Sequence, residues 1–261
     1  MAQKTTKILA NRTHLTATDT DYIAKLKYGY LTTLAAALSF TGILILSYVL
    51  SQYSTTYLRL LTLYMAGLHG FVRTCLIILV SVIPLWLCQV YAKFNPLKSI
   101  FFFGLSLITI GFPVGIPVVR MPTVVVPVAI QTLALTLLFC SIGIITHKDL
   151  SNWGSILSIG LLGLLLSMFL NRQFLHLSLI TGLLSYATML IFLGYLIFDA
   201  NIAMNSYTEA KKLGGLFLIS ILLANSLSIL QDIIVLFFEL LGSGDSDSDS
   251  DDDSGGFDSF W

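Results

Sequence analysis

The sequence predicts an all-α membrane protein with seven transmembrane helices, of which the last lies at the centre. Of the 261 residues, 56% are hydrophobic and only 11% are charged, and the mean hydropathy is +0.87. Soluble domains do not have this composition. Apolar runs of about 20 residues, the length that crosses a bilayer, recur along most of the chain. The last run carries a polar stripe, which predicts that it faces protein rather than lipid.

Short connections join the predicted spans, so we expect one membrane domain over residues 29–242. The spans are 29–50, 74–92, 99–119, 123–146, 154–170, 178–204 and 214–241. Segment 53–72 is apolar but contains Arg59 and His69. It is interpreted as a loop with an interfacial helix, and an eighth or re-entrant span is the alternative.

Segment 111–127, between the third and fourth spans, contains four prolines, Pro113, Pro117, Pro122 and Pro127. Proline removes a helical hydrogen bond and clashes with the preceding turn, so one continuous helix is not expected here. The segment predicts a turn between the two spans. A broken helix that lines a cavity is the alternative.

The distribution of charge predicts the orientation of the chain. With the N-terminus inside, ten of the fourteen Lys and Arg residues lie on inner segments, and these ten include every lysine. Cytoplasmic segments are enriched in these residues, so segment 1–28 is predicted to be cytoplasmic, with no cleavable signal peptide. Segment 243–261 holds seven aspartates and no base, and it predicts a disordered tail outside.

The last span has a polar stripe with helical spacing. Asn225, Asp232 and Glu239 are seven residues apart, and Ser228 lies one turn before Asp232. Asn and Ser commonly hydrogen-bond to neighbouring helices. An ionisable residue inside a bilayer is costly and marks a functional site, so Asp232 is the strongest candidate. Glu239 is interpreted either as a lining residue or as a residue that reaches the interface.

Asp199, near the end of the sixth span, is the second candidate carboxylate. If that helix continues to Asn205, Asp199 lies about 9 Å from its end. Two carboxylates in one low-dielectric site cannot both ionise cheaply, so they share a proton. Such a pair changes charge near neutral pH, which predicts a proton-sensitive gate.

Three stretches resemble the Bax inhibitor family, also called transmembrane Bax inhibitor motif proteins, in its bacterial form. They are ITHKDLSNWGSILSIGLLGLLLSMFLN at 145–171, LIFLGYLIFDANIAMNSY at 190–207 and LANSLSILQDIIVLFFELLG at 223–242. The resemblance covers roughly residues 25–242. It implies a seven-helix fold with the last helix central, and a pH-sensitive calcium leak in which Asp199 and Asp232 form a hydrogen-bonded, proton-sensing pair.

The resemblance also implies a basic latch on the first aspartate, for which Lys93 is the nearest match and Lys98 the next. This sequence departs from the family pattern at Val235, where the family has Asn, and near Glu239, where the usual basic residue is absent. The pairing poses a geometric problem, because a straight helix from Gly214 would place Asp232 about 27 Å from its inner end. The last helix is therefore expected to begin later, with a bend at Gly214 and Gly215.

The leading function is a calcium-permeable leak channel in the cell membrane, with the bacterial inner membrane favoured and an organelle membrane as the alternative. Its expected partners are the bilayer, calcium and protons. No enzyme activity, cofactor, nucleic acid or fixed metal site is expected. The alternative is a non-conducting regulator that binds membrane proteins or proteases. An intramembrane aspartyl protease is a further alternative, but Ile229, Leu230 and Gln231 stand where that class needs Gly-x-Gly, which argues strongly against it.

Overall fold

Helices make up the fold in the part of the chain that the structure describes. The computed structural model describes residues 2–57, 59, 82–146, 148–171 and 177–243. The helices are α1 (Ala2–Tyr53), α2 (Val82–Ala92), α3 (Pro96–Arg120), α4 (Pro122–Ile145), α5 (Trp153–Leu170), α6 (Ser178–Leu213) and α7 (Gly215–Ser243). Six of these, all except α2, are long and apolar enough to cross a membrane. The all-α membrane class is confirmed.

The predicted span 74–92 is described only over α2, which is apolar but shorter than the other helices. The rest of that span and most of the predicted interfacial segment 53–72 lie outside the described residues. The predicted tail also lies outside them, beyond Ser243. The described chain therefore supports six spans.

The proline-rich connection is shorter than the predicted turn. Helix α3 continues through Pro113 and Pro117, α4 contains Pro127, and only Met121 separates the two helices. Interior prolines are tolerated in membrane helices where neighbouring groups satisfy the freed carbonyls. Pro122 stands in the first turn of α4, where the missing N–H would have no helical partner in any case. The break falls in the predicted segment but occupies one residue.

The turn between α6 and α7 is tight and depends on glycine. Gly214 and Gly215 have φ angles of 74° and 42°, in the left-handed region that glycine adopts at little cost. The N–H of Gly214 donates to the carbonyl of Ala210 at 3.0 Å and so closes α6. The expectation that the last helix begins later is wrong, because α7 starts at Gly215 and continues to Ser243.

The last helix, α7, lies inside the bundle. In its most apolar stretch 67% of the residues are buried, against 39% or fewer in each of the other five candidate spans. It packs against α1, α3, α4 and α6, and the rings of Phe40 and Phe237 meet edge to face at 5.3 Å. Its fully buried apolar side chains are Leu227, Ile229, Leu230, Ile233, Leu236 and Phe237.

Helix α4 approaches α6 very closely at Gly143. A Cβ atom at Gly143 would overlap the carbonyl oxygen of Ile197, so only glycine fits. Small residues that let backbones approach are typical of helix packing in membranes. By contrast, α5 packs mainly on α6, and only 6% of its apolar stretch is buried. The contact at Gly143 holds α6 in place two residues from Asp199.

Candidate functional site

One hydrogen bond fixes the register between α6 and α7. Asn225 Nδ2 donates to Ser206 Oγ at 2.7 Å. Asn225 lies seven residues before Asp232, and Ser206 lies seven residues after Asp199. The helices are antiparallel neighbours, and seven residues are two helical turns. Extended by two turns, the register that joins Asn225 to Ser206 brings Asp199 toward Asp232.

The length of α6 resolves the geometric problem raised by the sequence. Asp199 lies about 21 Å before the end of α6 at Leu213, and Asp232 lies about 26 Å after the start of α7 at Gly215, from 1.5 Å per residue. The sequence predicted that α6 ends near residue 204, which would leave Asp199 close to the inner end. Because α6 continues for eight or nine more residues, Asp199 and Asp232 lie at similar distances from the turn between α6 and α7.

The two aspartates differ in burial. Asp232 is only 6% exposed, and its Oδ2 atom has no hydrogen-bond partner in the described part of the chain. Asp199 is half-buried. An unpartnered buried oxygen of this kind is costly unless it meets a proton, water or a cation.

Helices α1 and α4 pack against both α6 and α7. Cys140 on α4 is fully buried, and its thiol donates to the carbonyl of Leu196, three residues before Asp199, at 3.7 Å. The contact between α6 and α7 is therefore enclosed by α1 and α4.

The other polar residues of the α7 stripe each contact a neighbouring helix. Ser185 Oγ on α6 donates to Glu239 Oε2 at 2.6 Å. Gln89 Nε2 on α2 donates to Ser228 Oγ at 2.8 Å. Asn225 and Ser228 therefore make the interhelical hydrogen bonds that the sequence suggested as one of their two interpretations. Whether these residues also line a pathway stays a prediction.

The structure does not bring the candidate latch to Asp199. Lys93 Nζ, just after α2, forms a salt bridge with Glu209 Oε2 at 2.8 Å, with about half of each side chain exposed. Glu209 lies ten residues beyond Asp199 on α6, about 15 Å further along the helix. The expected contact of Lys93 with Asp199 is wrong for this structure. Lys98, the other candidate, lies over the ring of Tyr91 at 5.3 Å.

Asn201 is a buried polar residue that the sequence analysis did not identify. It is fully buried on α6, two residues after Asp199. Its Oδ1 accepts from the N–H of Leu150 at 3.1 Å and from Nδ2 of Asn205 at 3.1 Å. Its Nδ2 lies within 3.0–3.2 Å of the carbonyls of Gly143, Thr146 and Lys148. Asn201 thus holds the connection between α4 and α5 against α6. The signal that the sequence offered for Asn201 was its position two residues after Asp199.

The α6–α7 contact contains polar residues at intervals, which we define as the polar seam: Ser185, Asp199, Ser206, Asn225, Asp232 and Glu239. From Asn225 to Glu239 it extends about 21 Å along the helix. No group of three His, Cys, Asp or Glu side chains that could hold a metal occurs among the described residues. The seam therefore offers carboxyl and hydroxyl oxygens in sequence along the helices, and these suit the transient passage of a proton or a hard cation.

The comparisons with known proteins agree with the fold. A family model described as Inhibitor of apoptosis-promoting Bax1 (Bax1-I) matches residues 26–243, most of the chain. The match includes α1 from residue 26 onward and all of α2 to α7, and it includes both aspartates. No curated protein matches the chain.

Proposed function

The chain belongs to the Bax inhibitor family, and from that premise we propose that it is a proton-sensitive, calcium-permeable leak channel rather than an enzyme. The observation that carries the proposal is the burial of Asp232 inside the bundle, two turns from the hydrogen bond that joins Asn225 to Ser206. Calcium is the permeant ion, and no cofactor is required.

The proposed gate works through the charge of the pair. When one carboxyl is protonated, the two groups share a hydrogen bond, and α6 and α7 stay together. When both are ionised, like charges in a low-dielectric site repel each other. The repulsion loosens α7 against α6 and leaves a negative site for a cation. The unpartnered Oδ2 atom of Asp232 supports this step, because it is free to accept a new partner.

We propose seven spans, with α2 as part of the span that is only partly described. Lys211 forms a salt bridge with Asp21 at 3.0 Å, so the start of the apolar part of α1, at Thr20, and the end of α6 lie on one side of the membrane. If each of the six apolar helices crosses once, α1 ends on the other side, and α3 begins on the same side as Lys211. An odd number of crossings must then connect Tyr53 with Pro96.

The basic residues support a cytoplasmic position for that side. The lysines near the side on which Lys211 lies are Lys25, Lys27, Lys93, Lys211 and Lys212. The positive-inside rule expects such residues in the cytoplasm. We therefore propose a multi-pass protein of the cell membrane, most simply a bacterial inner membrane, with the start of α7 inside and its end outside.

Calcium uptake into proteoliposomes, followed with an enclosed calcium-sensitive dye, tests the function. Uptake should be slow in acid and rise as the pH increases, because deprotonation opens the pathway. Protein-free liposomes are the control for membrane leakage. Absence of uptake at acidic, neutral and basic pH would contradict the channel and favour the alternative, a membrane regulator that acts through protein contacts.

A further inference from the structure

Glu239 is an acidic residue of the polar seam that the proposed gate does not use. It lies seven residues after Asp232, about 10.5 Å further along α7. Ser185 on α6 donates a hydrogen bond to its Oε2 atom at 2.6 Å. The residue is half-buried, whereas Asp232 is only 6% exposed. The seam therefore contains a second acidic position that is closer to water than the first.

Glu239 lies near the end of α7 that is farther from the basic residues Lys211 and Lys212. Helix α7 begins beside Lys211 and Lys212 and ends at Ser243. Glu239 is four residues from that end, about 6 Å along the helix. A cation that enters from the end of α7 would meet Glu239 before it meets Asp232.

The chemistry of this position suits a hard cation. The site presents carboxylate oxygens and a hydroxyl oxygen, which are ligands that calcium prefers. A full metal cage is absent from the described residues, so the cation would keep most of its water. Conduction requires weak sites of this kind, from which the ion can leave.

The deeper acidic residue of the seam offers the place to which such an ion would pass. The Oδ2 atom of Asp232, on the same stripe of α7 and two turns deeper, is buried and has no hydrogen-bond partner among the described residues. We propose that Glu239 and Ser185 form an outer binding position, where a partly hydrated calcium ion is held before it passes to Asp232.

This inference rests on the proposed function, and it competes with a simpler role for Glu239. The hydrogen bond with Ser185 could serve only to tie α6 to α7. Glu239→Gln separates the two roles, because glutamine keeps the length and the accepting oxygen but loses the charge. Glu239→Asp keeps the charge on a shorter side chain and is the matched control. Ser185→Ala removes the hydroxyl alone.

Two measurements on the full chain test the inference. The first is the calcium concentration that gives half-maximal uptake into proteoliposomes, with the calcium supplied on the side where α7 ends. The second is equilibrium binding of radioactive calcium to the protein in lipid nanodiscs. Glu239→Gln should raise the half-maximal concentration severalfold and remove part of the bound calcium. It should leave the shape of the pH profile unchanged, because the Asp199–Asp232 pair is intact.

The controls should separate charge from structure. Glu239→Asp should retain most of the calcium binding, and Ser185→Ala should weaken it less than Glu239→Gln does. The aspartates after residue 243 also attract calcium, but they contribute equally in every variant. Thermal unfolding of Glu239→Gln should match the parent protein, and if this variant does not fold, a comparison of Glu239→Asp with the parent decides the matter.

The outcomes distinguish this inference from the proposed function. Unchanged half-maximal concentration and unchanged binding in Glu239→Gln would overturn the outer position, even if the parent protein conducts calcium with the expected pH dependence. A parent protein that binds calcium through Glu239 but shows no uptake would overturn the channel and leave the binding position supported. Loss of uptake in Glu239→Gln together with loss of thermal stability would support the structural role and contradict the inference.

Discussion

Ser206 on α6 accepts a hydrogen bond from Asn225 on α7 at 2.7 Å, and this contact lies two turns from Asp199 and Asp232. The same two helices, α6 and α7, therefore hold both this hydrogen bond and the two carboxyl groups. The position of the pair therefore depends on packing and on the α6–α7 turn as much as on the aspartates themselves.

The first prediction concerns the coupling of the two aspartates. Asp199→Asn or Asp232→Asn should flatten the pH profile of calcium uptake, because a neutral amide prevents like-charge repulsion. The double variant should add little to either single variant, since residues that act as one unit are non-additive. Proteoliposome uptake over a pH series measures both effects. Single variants that keep the parent's pH profile, or effects that simply add, would contradict a shared titrating unit.

The second prediction concerns Lys93. If its partner is Glu209, Lys93→Gln and Glu209→Gln should have similar effects, and the double variant should equal either one. The coupling energy should be small, about 0.2–1 kcal/mol, because both side chains are about half exposed. A double-mutant cycle on thermal unfolding measures it. A coupling of Lys93 with Asp199 instead of Glu209 would restore the latch implied by the family resemblance.

The sequence was informative about some residues and not about others, for physical reasons. Asp232 could be found because a carboxylate in an apolar run has few structural explanations. The depth of Asp199 could not be found, because the charged residues near the end of α6 hid the length of that helix. The partners of Lys93 and Asn201 are far away along the chain, and one sequence does not contain the register that brings them together.

The third prediction concerns Asn201. Asn201→Ala should lower the free energy of unfolding by about 1–3 kcal/mol, because it leaves the N–H of Leu150 and buried carbonyls without a partner. Asn205→Ala is the matched control, since it removes only the neighbouring amide that donates to Asn201. Thermal unfolding in detergent compares the two. Equal losses of stability would argue against a special role for Asn201.

The fourth prediction concerns the contact of α4 with α6. Gly143→Ala should destabilise the protein by about 1–3 kcal/mol, because the new methyl group would overlap the carbonyl of Ile197. Gly163→Ala on α5 provides the comparison, since no atom lies within 4 Å of its Cβ position and alanine favours the helix. Melting curves should show a loss only at Gly143. A neutral Gly143→Ala variant would mean that the two helices can separate at little cost.

The fifth prediction concerns orientation. A reporter that works only outside the cytoplasm, fused after Trp261, should be active, because the lysines place the start of α7 inside. The same reporter placed between Leu213 and Gly215 should be inactive. An inactive terminal fusion would mean an even number of crossings, and the part of the chain between Tyr53 and Val82 would be the first place to examine.

The glycine turn after α6 also has a consequence for the phase of the two helices. Each residue of an α-helix advances the side chains by about 100° around the axis. One extra residue after Gly214 would therefore rotate all of α7 by more than a quarter turn relative to α6. Asp232 would then point away from α6, although every contact within α7 would be unchanged. The length of this turn selects which face of the innermost helix becomes the polar interior of the protein.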